Sequence, residues 1–150
     1  MKYALIGCGR IATNHICAVT NNHLELAAVC DVCPEHMENL LKKHGLEKDA
    51  SIKRYKDYKL MIEENQIDLV GIATESGVHA EIALYCIDRG IHVIIEKPMA
   101  MNMTDAEEII KRSEEKGVVV SACHQNRFNI AVKETREALE SGRFGRLSHG

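Results

Sequence analysis

Gly7, Gly9 and Ala12, the acid at position 31 and the tripeptide Glu96-Lys97-Pro98 have the types and spacing that chemistry needs. The first three fit G-x-G-x-x-A, between an apolar run at residues 3–6 and an amphipathic stretch with Ala12, Ile16 and Val19 on one face. In that setting the pattern is the dinucleotide-binding fingerprint. Gly7 permits a tight strand-to-helix turn, and Gly9 lets a diphosphate approach without meeting a Cβ. Ala12 keeps the helix close to the sheet. Amides of the opening turn, those of Arg10 and Ile11 included, then face the phosphates beside the positive end of the helix dipole. The Arg10 side chain either reaches a phosphate or is simply an exposed first-turn arginine. Asp31 closes a second apolar run (24–30), at the offset of about 20 residues that the fingerprint calls for. A carboxylate there accepts hydrogen bonds from both adenosine ribose hydroxyls and repels a 2′-phosphate, favouring NAD over NADP.

Glu96-Lys97-Pro98 ends a later apolar run (91–95). Lys97 would point into the crevice where a nicotinamide lies, placed to act as general acid/base on a substrate hydroxyl. Pro98 can aim it through a fixed turn, including a cis bond. Glu96 suits ribose hydroxyls. Spacing alone leaves open a solvated Glu-Lys pair before a helix-starting proline.

Other reactive side chains carry less. Cys30 and Cys33 form a C-x-x-C with His36 nearby. A zinc site needs a second ligand pair at matching spacing, so no metal is expected. A redox pair at a helix start is a weaker reading than two small thiols filling space. Cys8 lies in the glycine turn, where a helix N-terminus acidifies a thiol or only a small residue fits. His15, His23, His36 and His44 suit helix faces or ends and need no function.

The elements that must position these groups are legible as an alternation. Strand-like runs at 3–6, 24–30, 51–55, 67–73, 91–95 and 118–122 are separated by amphipathic stretches. Pro34 suits a first helical turn, with Met37, Leu40 and Leu41 on its apolar side and a stop at His44-Gly45. Asp57 is a plausible N-cap ahead of Leu60, Met61 and Ile62. Ala80, Ala83, Leu84 and Ile87 line a helix after the turn at 74–77. Thr104-Asp105-Ala106-Glu107 reads as a capping box for a helix through Ile109 and Ile110 to Gly117. The expected fold is α/β, a Rossmann doubly wound parallel sheet with helices on both faces. Ligands in such sheets sit beyond the carboxyl ends of the strands, where strand order reverses. The stretches 7–12, 31, 74–79, 96–98 and 123–127 all follow strands. Residues 1–122 make this domain. Residues 123–150, with Phe128, Val132, Thr135 and Leu139 at helical spacing, read as a hinge and the first helix of a truncated α+β second domain.

Composition limits the partners. With 19 basic against 22 acidic side chains, two Phe, four Tyr and no Trp, neither a polyanion surface nor a base-stacking platform is expected, hence no nucleic acid. No stretch has membrane-span length and no signal-peptide pattern is present, so a cytoplasmic protein with reduced thiols is expected.

Gly7-Cys8-Gly9-Arg10-Ile11-Ala12, the Asp-ended second strand, the Thr74…His79 turn and Glu96-Lys97-Pro98 together resemble the glucose–fructose oxidoreductase/inositol dehydrogenase/MocA (Gfo/Idh/MocA) family over essentially the whole chain. The resemblance implies a nicotinamide-binding domain followed by an α+β domain on an open sheet, through which relatives form homo-oligomers. It implies Lys97 nearest the reacting carbon, Glu96 on the nicotinamide ribose and Pro98 shaping the turn. The family's Thr/Ser-Pro-Asn-x-x-His turn keeps only its ends here, so Thr74 and His79 alone carry over as cofactor contacts. A second catalytic Asp and His would lie beyond residue 150. Cys123-His124-Gln125-Asn126-Arg127 is similar to the branch that oxidises the 3-hydroxyl of UDP-N-acetyl-2-amino-2-deoxyglucuronate with NAD. His124, Gln125, Asn126 and Arg127 would orient a sugar or nucleotide sugar, arginine being the best bidentate partner for a carboxylate; a polar interdomain hinge is the open alternative. The implied function is an NAD-dependent dehydrogenase of sugar hydroxyls, represented by its cofactor domain. The alternative is a non-catalytic NAD-binding regulatory module.

Overall fold

In the computed structural model, which describes residues 1–146, the apolar runs become six strands. They are β1 (Lys2–Ile6), β2 (Glu25–Cys30), β3 (Lys53–Tyr55), β4 (Leu69–Ile72), β5 (His92–Ile95) and β6 (Val120–Ala122). All neighbours pair in parallel, in the order β3-β2-β1-β4-β5-β6. The helices are α1 (Ala12–Asn21), α2 (Pro34–Lys43), α3 (Tyr58–Glu64), α4 (His79–Asp88), α5 (Met103–Lys116) and α6 (Ile130–Glu140).

Side chains alternate across a strand, so β1 feeds two cores. Tyr3 and Leu5 pack with Ile16 and Val19 of α1 and Leu41 of α2. Ala4 and Ile6 pack with Met61 of α3, Ala83 and Ile87 of α4 and Ile109 of α5. Covering both faces is why the central strands read as unbroken apolar runs rather than alternating ones. The Rossmann doubly wound sheet follows, and strand order reverses between β1 and β4. The crevice at their carboxyl ends is where such a sheet takes its ligand.

Two details differ from the sequence reading. The α5 box is not Thr104–Glu107. Asn102 is the cap: its Oδ1 accepts from the Asp105 amide at 2.8 Å, and its Nδ2 donates to Asp105 Oδ2 at 2.8 Å. Asparagine is the better N-cap residue, so the helix starts at Met103. Leu60 and Ile110 face solvent, leaving Met61, Ile62 and Ile109 as the buried residues of their helices. Asp57 caps α3, accepting from the Lys59 amide. Pro34 opens α2, and Gly117 ends α5 in the left-handed conformation.

α6 is capped by the Asn129 side chain, and Ile130, Val132 and Leu139 are exposed along it, as is Phe128 just before it. Residues 147–150, the end of the expected hinge and first helix of a second domain, lie outside the described residues. No helix among the described residues is long and apolar enough to cross a membrane.

Candidate active site

Gly7 has φ +91°, and a Cβ there would lie 2.5 Å from the Ala73 backbone. The first glycine is therefore needed for the close pass of the loop over the end of β4 as well as for the turn. A Cβ on Gly9 would meet nothing within 4 Å; it would project into open space, the approach a diphosphate requires. Among the described residues, no partner takes the amides of Gly9, Arg10 or Ile11, whereas the Ala12 amide donates to Gly9 O. Arg10 is exposed. The loop is an open cradle of donors at the start of α1, as anion binding demands.

Asp31 is aimed at this loop. Its Oδ2 accepts from the Cys8 amide at 2.8 Å, and its Oδ1 accepts from the Cys33 amide at 2.8 Å and lies 3.2 Å from His36 Nδ1. A carboxylate offers about four lone-pair sites. Three have neighbours, and the fourth, on Oδ2, is open to a ribose hydroxyl. A second hydroxyl has to displace His36, whose side chain is 55% exposed against 10% for Asp31. A cavity of about 410 Å³ opens between β1 and β4, lined by Gly7, Gly9, Asp31, Val32 and Thr74 among others. The residues present fit a dinucleotide.

Cys8 and Cys30 are held in the thiol form. Burial, reinforced by the Asp31 charge, pushes Cys8 up to about 12, the opposite of helix-dipole activation. Burial does the same to Cys30, while Cys33 donates to Glu35 Oε2. The six cysteines are free thiols.

Lys97 and Pro98 are exposed at the carboxyl end of β5, joined by a cis peptide bond. Among the described residues, the Lys97 ammonium pairs with no carboxylate. Glu96 has one carboxylate oxygen engaged. Its Oε1 lies 3.3 Å from His15 Nε2, and His15 Nδ1 lies 2.9 Å from the Tyr3 hydroxyl. Cys123 completes a group with His15 and Glu96 whose ligand-type atoms all lie within 4.8 Å of one another. His79 is buried away from the cavity, its Nδ1 2.8 Å from Pro98 O and its Nε2 3.1 Å from Thr74 O. Thr74 lines the cavity.

His15 is the residue that sequence reasoning passed over. The signal available was Gly71, since a glycine inside a strand marks a close approach. A Cβ at Gly71 would overlap the Tyr3 hydroxyl and lie 3.1 Å from His15 Nδ1. Gly71→Ala is expected to lower stability by about 2–3 kcal/mol through overpacking, measured by urea unfolding; a change under about 0.5 kcal/mol would contradict it.

Burial holds the His15 pKa below its usual value, outweighing the opposing pull of Glu96. The fold therefore prefers the neutral ring and binds fewer protons than the unfolded chain, so this contribution is full above about pH 6.5 and is lost as pH falls. Urea midpoints of the wild type and His15→Gln, compared between about pH 5 and 8, should converge on the acid side. A constant gap would contradict the assignment.

His124, Gln125, Asn126 and Arg127 are all exposed just beyond β6, with Gln125–Phe128 in a 3₁₀ turn. The Cys123 amide donates to Ile95 O at 2.8 Å, placing this segment beside the end of β5. Gln125 shares a shallow depression with His15, Glu96 and Cys123.

Residues 1–124 match a sequence profile described as an oxidoreductase family with an NAD-binding Rossmann fold. The chain belongs to the Gfo/Idh/MocA family. Among curated members, it is 30% identical over 149 residues to myo-inositol 2-dehydrogenase of Thermotoga maritima, covering 97% of this chain and 42% of that protein. It is 39% identical over 129 residues to glycosyl hydrolase family 109 protein 1 of Bacteroides thetaiotaomicron, covering 83% of this chain and 28% of that one. Among solved structures, the WlbA dehydrogenase of Bordetella pertussis in complex with NADH and UDP-GlcNAcA superposes with a TM-score of 0.83 at 33% identity, over 97% of this chain and 41% of that one. The chain thus spans less than half the length of these Gfo/Idh/MocA relatives, and NAD is the cofactor of the domain it forms.

Proposed function

We propose that the full-length protein is an NAD-dependent dehydrogenase that oxidises a secondary hydroxyl of a sugar, in particular the 3-hydroxyl of a UDP-N-acetylated aminoglucuronate. The exposed Lys97 at the carboxyl end of β5, on the same sheet edge as the β1/β4 cavity, carries the reading. NAD+, when bound, supplies the hydride acceptor. Gly7 and Gly9, with the amides of Arg10 and Ile11, hold its diphosphate, and Asp31 takes an adenosine ribose hydroxyl. Val32 and Thr74 line the walls of the cavity, and Ala12 keeps α1 close enough to close the cradle. Lys97 Nζ, as the neutral amine, accepts the substrate hydroxyl proton as the carbon loses hydride, and the resulting ammonium returns it in the reverse direction. His124, Gln125, Asn126 and Arg127 orient the sugar, Arg127 pairing with a carboxylate. Residues 1–122 are the cofactor domain; 123–150 begin the substrate domain.

The nucleotide-sugar preference draws support from the WlbA dehydrogenase, whose structure holds NADH and UDP-GlcNAcA. The test is NADH accumulation by the full-length chain with NAD+ and UDP-N-acetylglucosaminuronate, against myo-inositol and methyl glucosides. NADH formed with the uronate supports the specific reading. NADH with another sugar keeps the dehydrogenase and removes the substrate, and NADH with none removes both. The 39% identity to a glycosyl hydrolase favours one second reading, in which oxidation is reversed in place and net hydrolysis leaves the cofactor unchanged. Release of nitrophenol from nitrophenyl N-acetylhexosaminides without NADH accumulation would select it.

A further inference from the structure

We propose that His15 and His79 are positioning residues that grip the chain on either side of Lys97 and so aim its ammonium. The inference rests on the reading of Lys97 as the acid/base group. His15, from α1, reaches the carboxylate of Glu96, the residue immediately before Lys97, at 3.3 Å. His79, from α4, reaches the carbonyl of Pro98, the residue immediately after, at 2.8 Å. Lys97 is exposed, whereas His15 and His79 are 7% and 1% exposed.

The far side of the His15 ring is also anchored, on the Tyr3 hydroxyl, while the other nitrogen of His79 lies 3.1 Å from the Thr74 carbonyl; a neutral His79 ring has a single N–H and donates to one of its two carbonyl neighbours at a time. In the neutral His15 ring, the Tyr3 hydroxyl donates to Nδ1, which fixes the tautomer with Nε2–H donating to Glu96. α1 and α4 pack on opposite faces of the sheet. Each helix follows a turn that lines the cofactor cavity, the glycine loop before α1 and the Thr74 turn before α4. The two rings therefore register Lys97 against both halves of the cradle. Burying polar rings in an apolar core is unfavourable unless they are hydrogen-bonded, and an aliphatic residue would pack there more simply. What these rings add is position, to which proton and hydride transfer are steeply sensitive.

The test uses the full-length chain and the variants His15→Phe, His15→Gln, Tyr3→Phe and His79→Phe. The first readout is amide hydrogen exchange of the peptide containing Glu96, whose amide bonds Ile72 O at 2.9 Å. The second is kcat against KM with NAD+ and UDP-N-acetylglucosaminuronate. His15→Phe should speed that exchange about tenfold and lower kcat about 30-fold with NAD+ affinity within about threefold of wild type. Tyr3→Phe should act in the same direction more weakly. His15→Gln, which can both accept from Tyr3 and donate to Glu96, should restore most of both. His79→Phe should act as His15→Phe does; should it not fold, His79→Gln, whose amide can still donate to Pro98 O, should keep exchange and kcat near wild type, and a loss of both there overturns the His79 role.

Unchanged exchange near Glu96 in His15→Phe overturns the proposal. So does a kcat lost equally in His15→Gln and His15→Phe, because a bridging amide then fails to substitute for the ring. If Lys97→Ala turns over normally, the acid/base reading fails and this inference with it, whatever the exchange shows. Faster exchange with unchanged kcat, in a protein that does need Lys97, overturns the positioning role alone.

Discussion

Replacing Lys97 with alanine in the full-length chain is expected to lower kcat about 10³-fold and to leave NAD+ affinity within about threefold of wild type. The size follows from the role. A positioned acid/base contributes about 10²–10⁴ to rate, and a thousandfold loss corresponds to about 4 kcal/mol of transition-state stabilisation. Affinity is spared because Lys97 does not line the β1/β4 cavity and contributes no ligand to the glycine loop. Stability is spared too, since the side chain is exposed and pairs with no carboxylate among the described residues. Steady-state kinetics together with calorimetric NAD+ titration makes the measurement. A non-catalytic NAD-binding module predicts a different result: both quantities unchanged, with no turnover to lose.

Asp31→Asn is the second large effect, and it falls on binding. The carboxylate accepts from the Cys8 amide, which lies inside the glycine loop, and from the Cys33 amide, which opens the turn into α2. An asparagine presents one oxygen and one NH2, so one of those amides faces another donor. Hydrogen bonds to a charged group contribute about 1.5–3 kcal/mol each, and a buried donor left unmet adds its own desolvation penalty. NAD+ affinity should fall about 10²-fold, and the preference over NADP+ should narrow because the charge opposing a 2′-phosphate has gone. Titration of wild type and variant with both cofactors measures this. An NAD+ affinity within about threefold of wild type would mean that Asp31 braces the loop without touching the ribose.

How much was legible beforehand varies with the kind of interaction. Patterns with a fixed local period or a fixed local geometry could be read directly. The buried faces of α1 and α2 came out as Ala12, Ile16 and Val19, and as Met37, Leu40 and Leu41, because helical spacing repeats along the chain. The Gly7 turn, Pro34 at a helix start and Gly117 at a helix end followed from backbone preferences that act within a few residues. The α5 cap was misplaced by two residues because Asn102 and Thr104 are both competent caps, and only the backbone path chooses between them.

The contacts that set the roles of Glu96, His15 and His79 join residues 81, 12, 19 and 5 positions apart. No periodicity announces a pair 81 residues distant.

By itself the sequence determined the alternation of strands and helices, the open glycine loop and the acid one strand away, since each of these is dictated by local propensity or by a short motif. Only the tertiary structure decided that Asp31 also braces the Cys8 and Cys33 amides, that Glu96 is held by a histidine, and that His79 is not among the residues lining the cavity. Those outcomes depend on which side chains the parallel pairing of β1, β4 and β5 brings within hydrogen-bonding distance. That proximity is created by folding and leaves no trace in the spacing of residues along the chain.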